Sequence, residues 1–138
     1  MLNSTNNYGV GDSSYKAAGG EQGLRTLCSD FYHFMETLPE AQKIRKMHKD
    51  DLTIMIDKLT LFLSMWLGGP KVYQEKYRFV GMPVAHQHLV ILEEERDAWL
   101  LCMDLALDKQ SYPDDFKRYL KTQFRFPAEM IYRTSRFE

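Results

Sequence analysis

The stretch DLTIMIDKLTLFLSMWLGGP, residues 51–70, decides the fold. Leu52, Met55, Leu59, Phe62 and Trp66 recur at steps of three or four, a spacing that puts side chains on one stripe of an α-helix. Ile56 and Leu63 widen the stripe, while Asp57 and Lys58 stay polar. Asp50 or Asp51 is placed to cap the helix, which is expected over about 51–66. It should end at Gly68-Gly69-Pro70, where glycine adopts positive φ and proline cannot continue the helix. A face this broad is too apolar for water and implies helix-on-helix packing.

The flanking sequence repeats the theme. Upstream, Leu24, Leu27, Phe31, Phe34 and Met35 mark a helix from about Glu21 to Leu38. Before it, Ser13 or Ser14 is expected to cap a short helix that stops at Gly19-Gly20. Residues 1–14 are mostly small and polar and are expected to form a flexible arm. Pro39 marks a break, followed by a helical turn near 41–47. Downstream, Tyr73, Tyr77 and Phe79 are large, yet Gly81 and Pro83 suggest a loosely wound connection over 71–85. Helical character returns at 84–90. Glu93-Glu94-Glu95 then suits the positive end of a helix over about 94–108. A last helix opens at Asp114-Asp115, reaches at least Phe124, and should be kinked or interrupted by Pro127. No segment alternates with period two, and the fold class is all-α.

The 138 residues suit one domain. A formal charge of −1 leaves no electrostatic footprint for nucleic acid. Lys117, Arg118, Lys121, Arg125, Arg133 and Arg136 are locally basic, but they interleave with Phe116, Leu120 and Phe124 as a solvated helix face would. No stretch approaches the roughly 20 apolar residues of a membrane span. The N-terminus has no charged start followed by an apolar run, so a cytoplasmic location is expected. Cys28 and Cys102 have no C-x-x-C spacing and read as buried free thiols. Aromatic residues make up 13% and methionines number eight, more soft and flat side chains than a small helical core usually needs.

Four histidines are the natural candidates for chemistry. His86 and His88 flank Gln87, and on a helix they point in nearly opposite directions, which weakens a shared zinc site. The residues alone leave His86 as either a core histidine or a ligand.

The ordered set of motifs resembles a truncated haemoglobin, the short two-over-two helical globins, and specifically group II of that family. The resemblance begins with Tyr15 and Gly19-Gly20 and runs through Phe31-Tyr32, Ile44-Arg45-Lys46-Met47-His48, Asp51-Leu52, Lys58-Leu59 and Phe62-Leu63. It continues with Trp66-Leu67-Gly68-Gly69-Pro70, Tyr73, His86 and Ile91, and closes on Glu95-Arg96-Asp97-Ala98-Trp99-Leu100 and Cys102-Met103. Each element is weak alone; their order and spacing are specific.

The resemblance implies a haem, with His86 as the proximal iron ligand nine residues before Glu95. A neutral imidazole is the usual fifth ligand of such an iron and leaves the opposite side for a gas. On that distal side the resemblance places Tyr32, His48 and Trp99. A Tyr hydroxyl or indole N–H there makes a charge-assisted hydrogen bond to a ligand that gathers negative charge. Met55, Leu59 and Phe62 would face the porphyrin, and Lys58 would pair with a propionate. Tyr73, Tyr77, Met82 and Leu89 would line the proximal side and edge, with Ile91 and Met103 completing the pocket. The pattern also departs from the family. Arg78-Phe79-Val80 replaces a common Gly-His-Pro, Ala85 replaces a basic residue, and Leu89 stands where phenylalanine is usual. His48 occupies a position often held by tyrosine, so His48 or Tyr32 is a candidate sixth ligand.

The implied function is binding of O2, NO and CO, with redox detoxification of NO or of reactive oxygen and nitrogen species. Nitric oxide dioxygenase or peroxidase-like turnover would require a reductase. The alternatives are an oxygen carrier or gas sensor without turnover, and a cofactor-free helical binding module. The oligomer expected is a monomer or homodimer.

Overall fold

Helix α2 (Gly20–Thr37) forms the centre of the molecule, because its apolar positions serve two neighbours at once. The computed structural model describes residues 8–47, 51–77 and 91–135. In chain order these form α1 (Ser13–Ala17), α2, a 3-10 turn (Pro39–Ala41), α3 (Gln42–Met47), α4 (Leu52–Trp66), α5 (Val72–Tyr77), α6 (Glu93–Lys109) and α7 (Asp114–Ser135). Helix α2 packs on α4 and on α6, and α6 packs on α7. The result is an all-helical, two-over-two arrangement of α2 and α4 with α6 and α7.

The core follows from the spacing of apolar residues. Leu24, Leu27, Phe31 and Met35 line the inner face of α2 and are fully buried. They meet Leu63 of α4, Cys102, Met103, Ala106 and Leu107 of α6, and Phe116, Leu120 and Phe124 of α7. Both cysteines are buried and unbridged. The basic side chains of α7 lie opposite this face: Lys121 pairs with Asp108 at 2.8 Å and Arg125 with Asp104 at 3.3 Å.

Local chemistry sets the ends of α4. The Asp51 carboxylate accepts from the Thr53 N–H at 2.7 Å, satisfying one of the helix's unpaired first-turn donors. At the other end Gly68 adopts φ +93°. A side chain on Gly69 would collide with the ring of Tyr15. The Tyr15 N–H also donates to the Leu67 carbonyl at 3.2 Å, so the glycine pair lets α1 rest directly on the end of α4.

Several details differ from the sequence expectations. Asp12, without a side-chain capping hydrogen bond, stands at the N-cap of α1, and the Ser14 hydroxyl accepts from the Gly9 N–H at 2.8 Å instead. The expected arm is packed at its described end: the Tyr8 ring lies 4.8 Å from that of Phe116, and its hydroxyl donates to Asp115 at 3.2 Å. Within the connection expected over 71–85, residues 72–77 are a helical turn and a half. Pro127 sits inside a continuous α7. Proline removes one backbone hydrogen bond and disfavours helix at a cost of about 3 kcal/mol. Burial of Phe124 and Ala128 on either side, with Arg96 of α6 holding Glu129 at 2.9 Å, offsets that loss.

Phe31→Ala is expected to destabilise the fold by about 3–5 kcal/mol, since it empties a fully enclosed site. Gly69→Ala should cost about 1–3 kcal/mol by forcing Tyr15 away from α4. Urea unfolding measures both, and a Phe31→Ala loss below about 1 kcal/mol contradicts the packing described.

Candidate functional site

Helices α2, α4, α5 and α6 carry the expected site residues that fall within the described chain. Tyr32 comes from α2, Trp99 and Met103 from α6, Met55, Lys58, Leu59 and Phe62 from α4, and Tyr73 and Tyr77 from α5. Ile91 precedes α6 and is buried. His48, Met82, His86 and Leu89 lie outside the described residues.

One buried ring joins the two expected donors. Phe31 contacts Tyr32 edge-on at 4.9 Å between centroids and Trp99 edge-on at 5.2 Å. Tyr32 is itself buried, and loss of solvent raises its phenol well above the ordinary tyrosine range. The neighbouring Cys28 pushes the same way, while the Arg45 guanidinium pulls it back. The group therefore stays a protonated O–H donor at any physiological pH.

The remaining residues supply walls. Met55 and Phe62 are buried on α4. Leu52, Ile56 and Leu59, one helical stripe of the same element, are only half-buried against the rest of the chain. Phe62 meets Trp66 nearly parallel at 6.5 Å and Tyr73 edge-on at 5.8 Å. Met103 is fully enclosed in the core cluster. Lys58 extends its ammonium over the Tyr77 ring, 5.4 Å from the centroid. These residues fit a haem: an incompletely covered apolar stripe for the flat macrocycle, two polar hydrogens from separate helices, and a cation at the margin for an acidic edge group.

A family model described as bacterial-like globin matches residues 13–131. A group 2 truncated hemoglobin of Bacillus subtilis (strain 168) is 31% identical over 109 residues, spanning 79% of this chain and 80% of that protein. The group II 2-on-2 hemoglobin from Agrobacterium tumefaciens superposes with a TM-score of 0.80 at 34% identity, covering 86% of this chain and 92% of that one. The solved structure of a truncated oxygen-avid haemoglobin from Bacillus subtilis gives a TM-score of 0.76 at 30% identity, covering 86% of this chain and 97% of that one.

Two carboxylates at the borders of the site were given no role in it by the sequence reading. Glu95 is one of three consecutive acids that suit a helix start, yet only Glu95 turns inward and is buried. Its Oε1 accepts from the Leu92 N–H at 3.0 Å, and Lys43 of α3 approaches Oε2 at 3.6 Å. Asp57 is the second. It accepts from the Tyr77 hydroxyl at 2.6 Å, from Lys76 at 2.7 Å and from Arg25 at 3.2 Å, so it ties α5 and α2 to α4. The only signal in the sequence was a polar pair, Asp57-Lys58, interrupting an apolar run.

Hydrogen bonds from Lys76 and Tyr77, and then Arg25, hold the Asp57 carboxyl down at about 2, below its ordinary 3.8. A carboxyl depressed on folding stabilises above its ordinary value, and the stabilisation is lost as pH falls through the folded one. Asp57→Asn is thus expected to lower the melting temperature at neutral pH and to flatten its decline between pH 3.8 and about 2. Thermal melts across that range are the check; equal acid sensitivity in variant and wild type contradicts the assignment.

Proposed function

The chain belongs to the bacterial-like globins as a group II truncated haemoglobin that binds haem and diatomic gases, and from that premise we propose that it spends bound oxygen in redox detoxification. The reactions proposed are conversion of nitric oxide to nitrate and breakdown of peroxide or peroxynitrite. His86 is the proposed fifth ligand of the iron. When bound, haem supplies a metal that takes up the gas on its open side.

The chain's own residues retain and polarise that ligand. Tyr32 and Trp99 are the proposed donors, with His48 a third, and the observation that carries this reading is their shared contact with Phe31. A single enclosed ring fixes the ring of Tyr32 on α2 and the indole of Trp99 on α6 relative to each other, which supports a reading in which the two donors act on one ligand. Donors held in advance need no reorganisation when negative charge develops on the ligand. A related Bacillus subtilis protein is described as oxygen-avid, which fits slow release from such a donor pair. Slow release suits turnover better than delivery. The half-buried stripe of Leu52, Ile56 and Leu59 offers the apolar surface that the macrocycle would cover.

Rapid mixing of the oxygenated protein with nitric oxide tests the proposal. Stoichiometric nitrate is expected; oxygen dissociation without nitrate rejects the dioxygenase reading in favour of a carrier or sensor. A charge-assisted hydrogen bond contributes about 1.5–3 kcal/mol, so Tyr32→Phe and Trp99→Phe should each raise the oxygen dissociation rate about tenfold or more. Rates unchanged in both variants contradict the donor assignment.

A further inference from the structure

The outward side of the α6–α7 pair carries apolar side chains that the fold leaves uncovered. Phe126 is 63% exposed, Met130 55% and Leu101 36%. Apolar residues scattered singly over a surface are ordinary. These three are gathered along one open groove of about 610 Å³, which Leu100, Leu101 and Phe126 line and beyond which Met130 lies one turn along α7. The haem reading has no use for this side, since Trp99 and Met103 lie on the other face of α6.

Two stripes of opposite charge run along this side. On α6, Asp97, Leu101 and Asp104 recur at steps of four and three; on α7, Phe126, Met130 and Arg133 do the same, with Arg125 beside Phe126. The ion pairs Arg96–Glu129 at 2.9 Å and Asp104–Arg125 at 3.3 Å show that the two helices run antiparallel. Followed in one direction, α6 therefore presents an acid, a leucine and an acid, while α7 presents an arginine, two large apolar side chains and an arginine. We propose that this face binds a second copy of the chain, with α6 of each copy laid antiparallel on α7 of the other about a two-fold axis that runs along the groove. Phe126 and Met130 of each copy then cover Leu101 of the other. Asp97 faces Arg133 and Asp104 faces Arg125 across the interface, each pairing occurring twice by symmetry. Asp97, 61% exposed, and Arg133, 70% exposed, are each held within their own helix and have open sides to offer. An axis running across the helices would instead set Asp97 against Asp104, and like charges so placed repel.

The size of the face sets the strength of the association. A helix of 17 residues is about 25 Å long and two side by side are about 20 Å across, so each copy contributes about 500 Å² and the pair about 1,000 Å². That is the low end of specific interfaces, and it implies a dissociation constant of about 10–100 µM rather than a permanent dimer. Phe126 is the expected anchor, an aromatic side chain at the centre of the face between charged ends. The inference goes beyond the haem reading and does not depend on it.

Sedimentation velocity of the purified chain, from about 1 µM to about 1 mM so as to bracket that constant, is the test. Wild type is expected to pass from 16.3 kDa toward twice that mass as concentration rises. Phe126→Glu should stay at the single-chain mass throughout, with an unchanged circular dichroism spectrum because the residue is exposed. Asp97→Arg and Arg133→Asp should each associate about tenfold more weakly or worse, since each sets like charges opposite one another twice in a symmetric pair. An equimolar mixture of those two variants should associate within about threefold of wild type, because each altered side chain then meets its opposite on the other copy. Contacts within one copy cannot be restored by mixing. Wild type that keeps the single-chain mass at every concentration overturns the proposal. So does association unchanged in Phe126→Glu, or a mixture that associates no more tightly than its components. None of these measurements reads the Soret band, so failure here leaves the haem reading standing.

Discussion

The edge-on contact between Phe31 and Trp99, at 5.2 Å, is the constraint on which the site depends. Phe31 belongs to the helix that packs on both neighbours, so its ring fixes the separation of α2 from α6 while also touching the next residue, Tyr32. A looser contact would let the two proposed donors drift apart by more than a hydrogen bond tolerates. A fully enclosed ring such as Phe31 has few alternative rotamers in a core packed at crystal density, which restricts this spacing. The site is thus positioned by apolar packing, and its polar chemistry is an overlay of a few groups on that frame.

The borders of the pocket are organised differently. Asp57 and Glu95 each hold chain segments that have little apolar surface of their own. Helix α5 is six residues long, too short to persist through its own hydrogen bonds, and no residue in it is fully buried. Tyr77 and Lys76 reach back to Asp57, and Tyr73 inserts against Phe62, so α5 is held by side chains rather than by propensity. Glu95 acts comparably at the entry to α6, where its carboxylate satisfies the Leu92 N–H. Ionisable groups therefore set the edges and aromatic groups set the interior.

Much of this is legible in the sequence because the strongest signals are local or periodic. The stripe of α4, the Asp51 cap, the Gly68-Gly69-Pro70 stop and the inner face of α2 all rest on spacing within one element, and each is present in the structure. The ordered motifs likewise carry the family and the haem. What sequence does not supply depends on contacts between distant segments. The helical turn at 72–77 is stabilised by Phe62 and by Asp57, which lies 20 residues before its partner Tyr77, and no local rule announces either. Pro127 reads as a break because its local cost is certain, whereas the packing of Phe124 and Ala128 that offsets it is tertiary. Ser14 reads as a helix cap, but burial and the nearby Gly9 N–H give its hydroxyl another partner. The inward turn of Glu95, rather than Glu93 or Glu94, is equally a matter of which side of α6 faces α3.

Titration of the purified apoprotein with haemin, followed by visible absorption in wild type and His86→Ala, bears most directly on the haem pocket and its proposed ligand. Wild type is expected to develop a sharp Soret band that saturates at an equimolar amount of haemin and shifts when the reduced protein takes up carbon monoxide. His86→Ala should bind haemin weakly, with a broadened band that free imidazole restores. A wild-type protein that stays colourless, or a His86→Ala spectrum indistinguishable from wild type, would contradict the assignment.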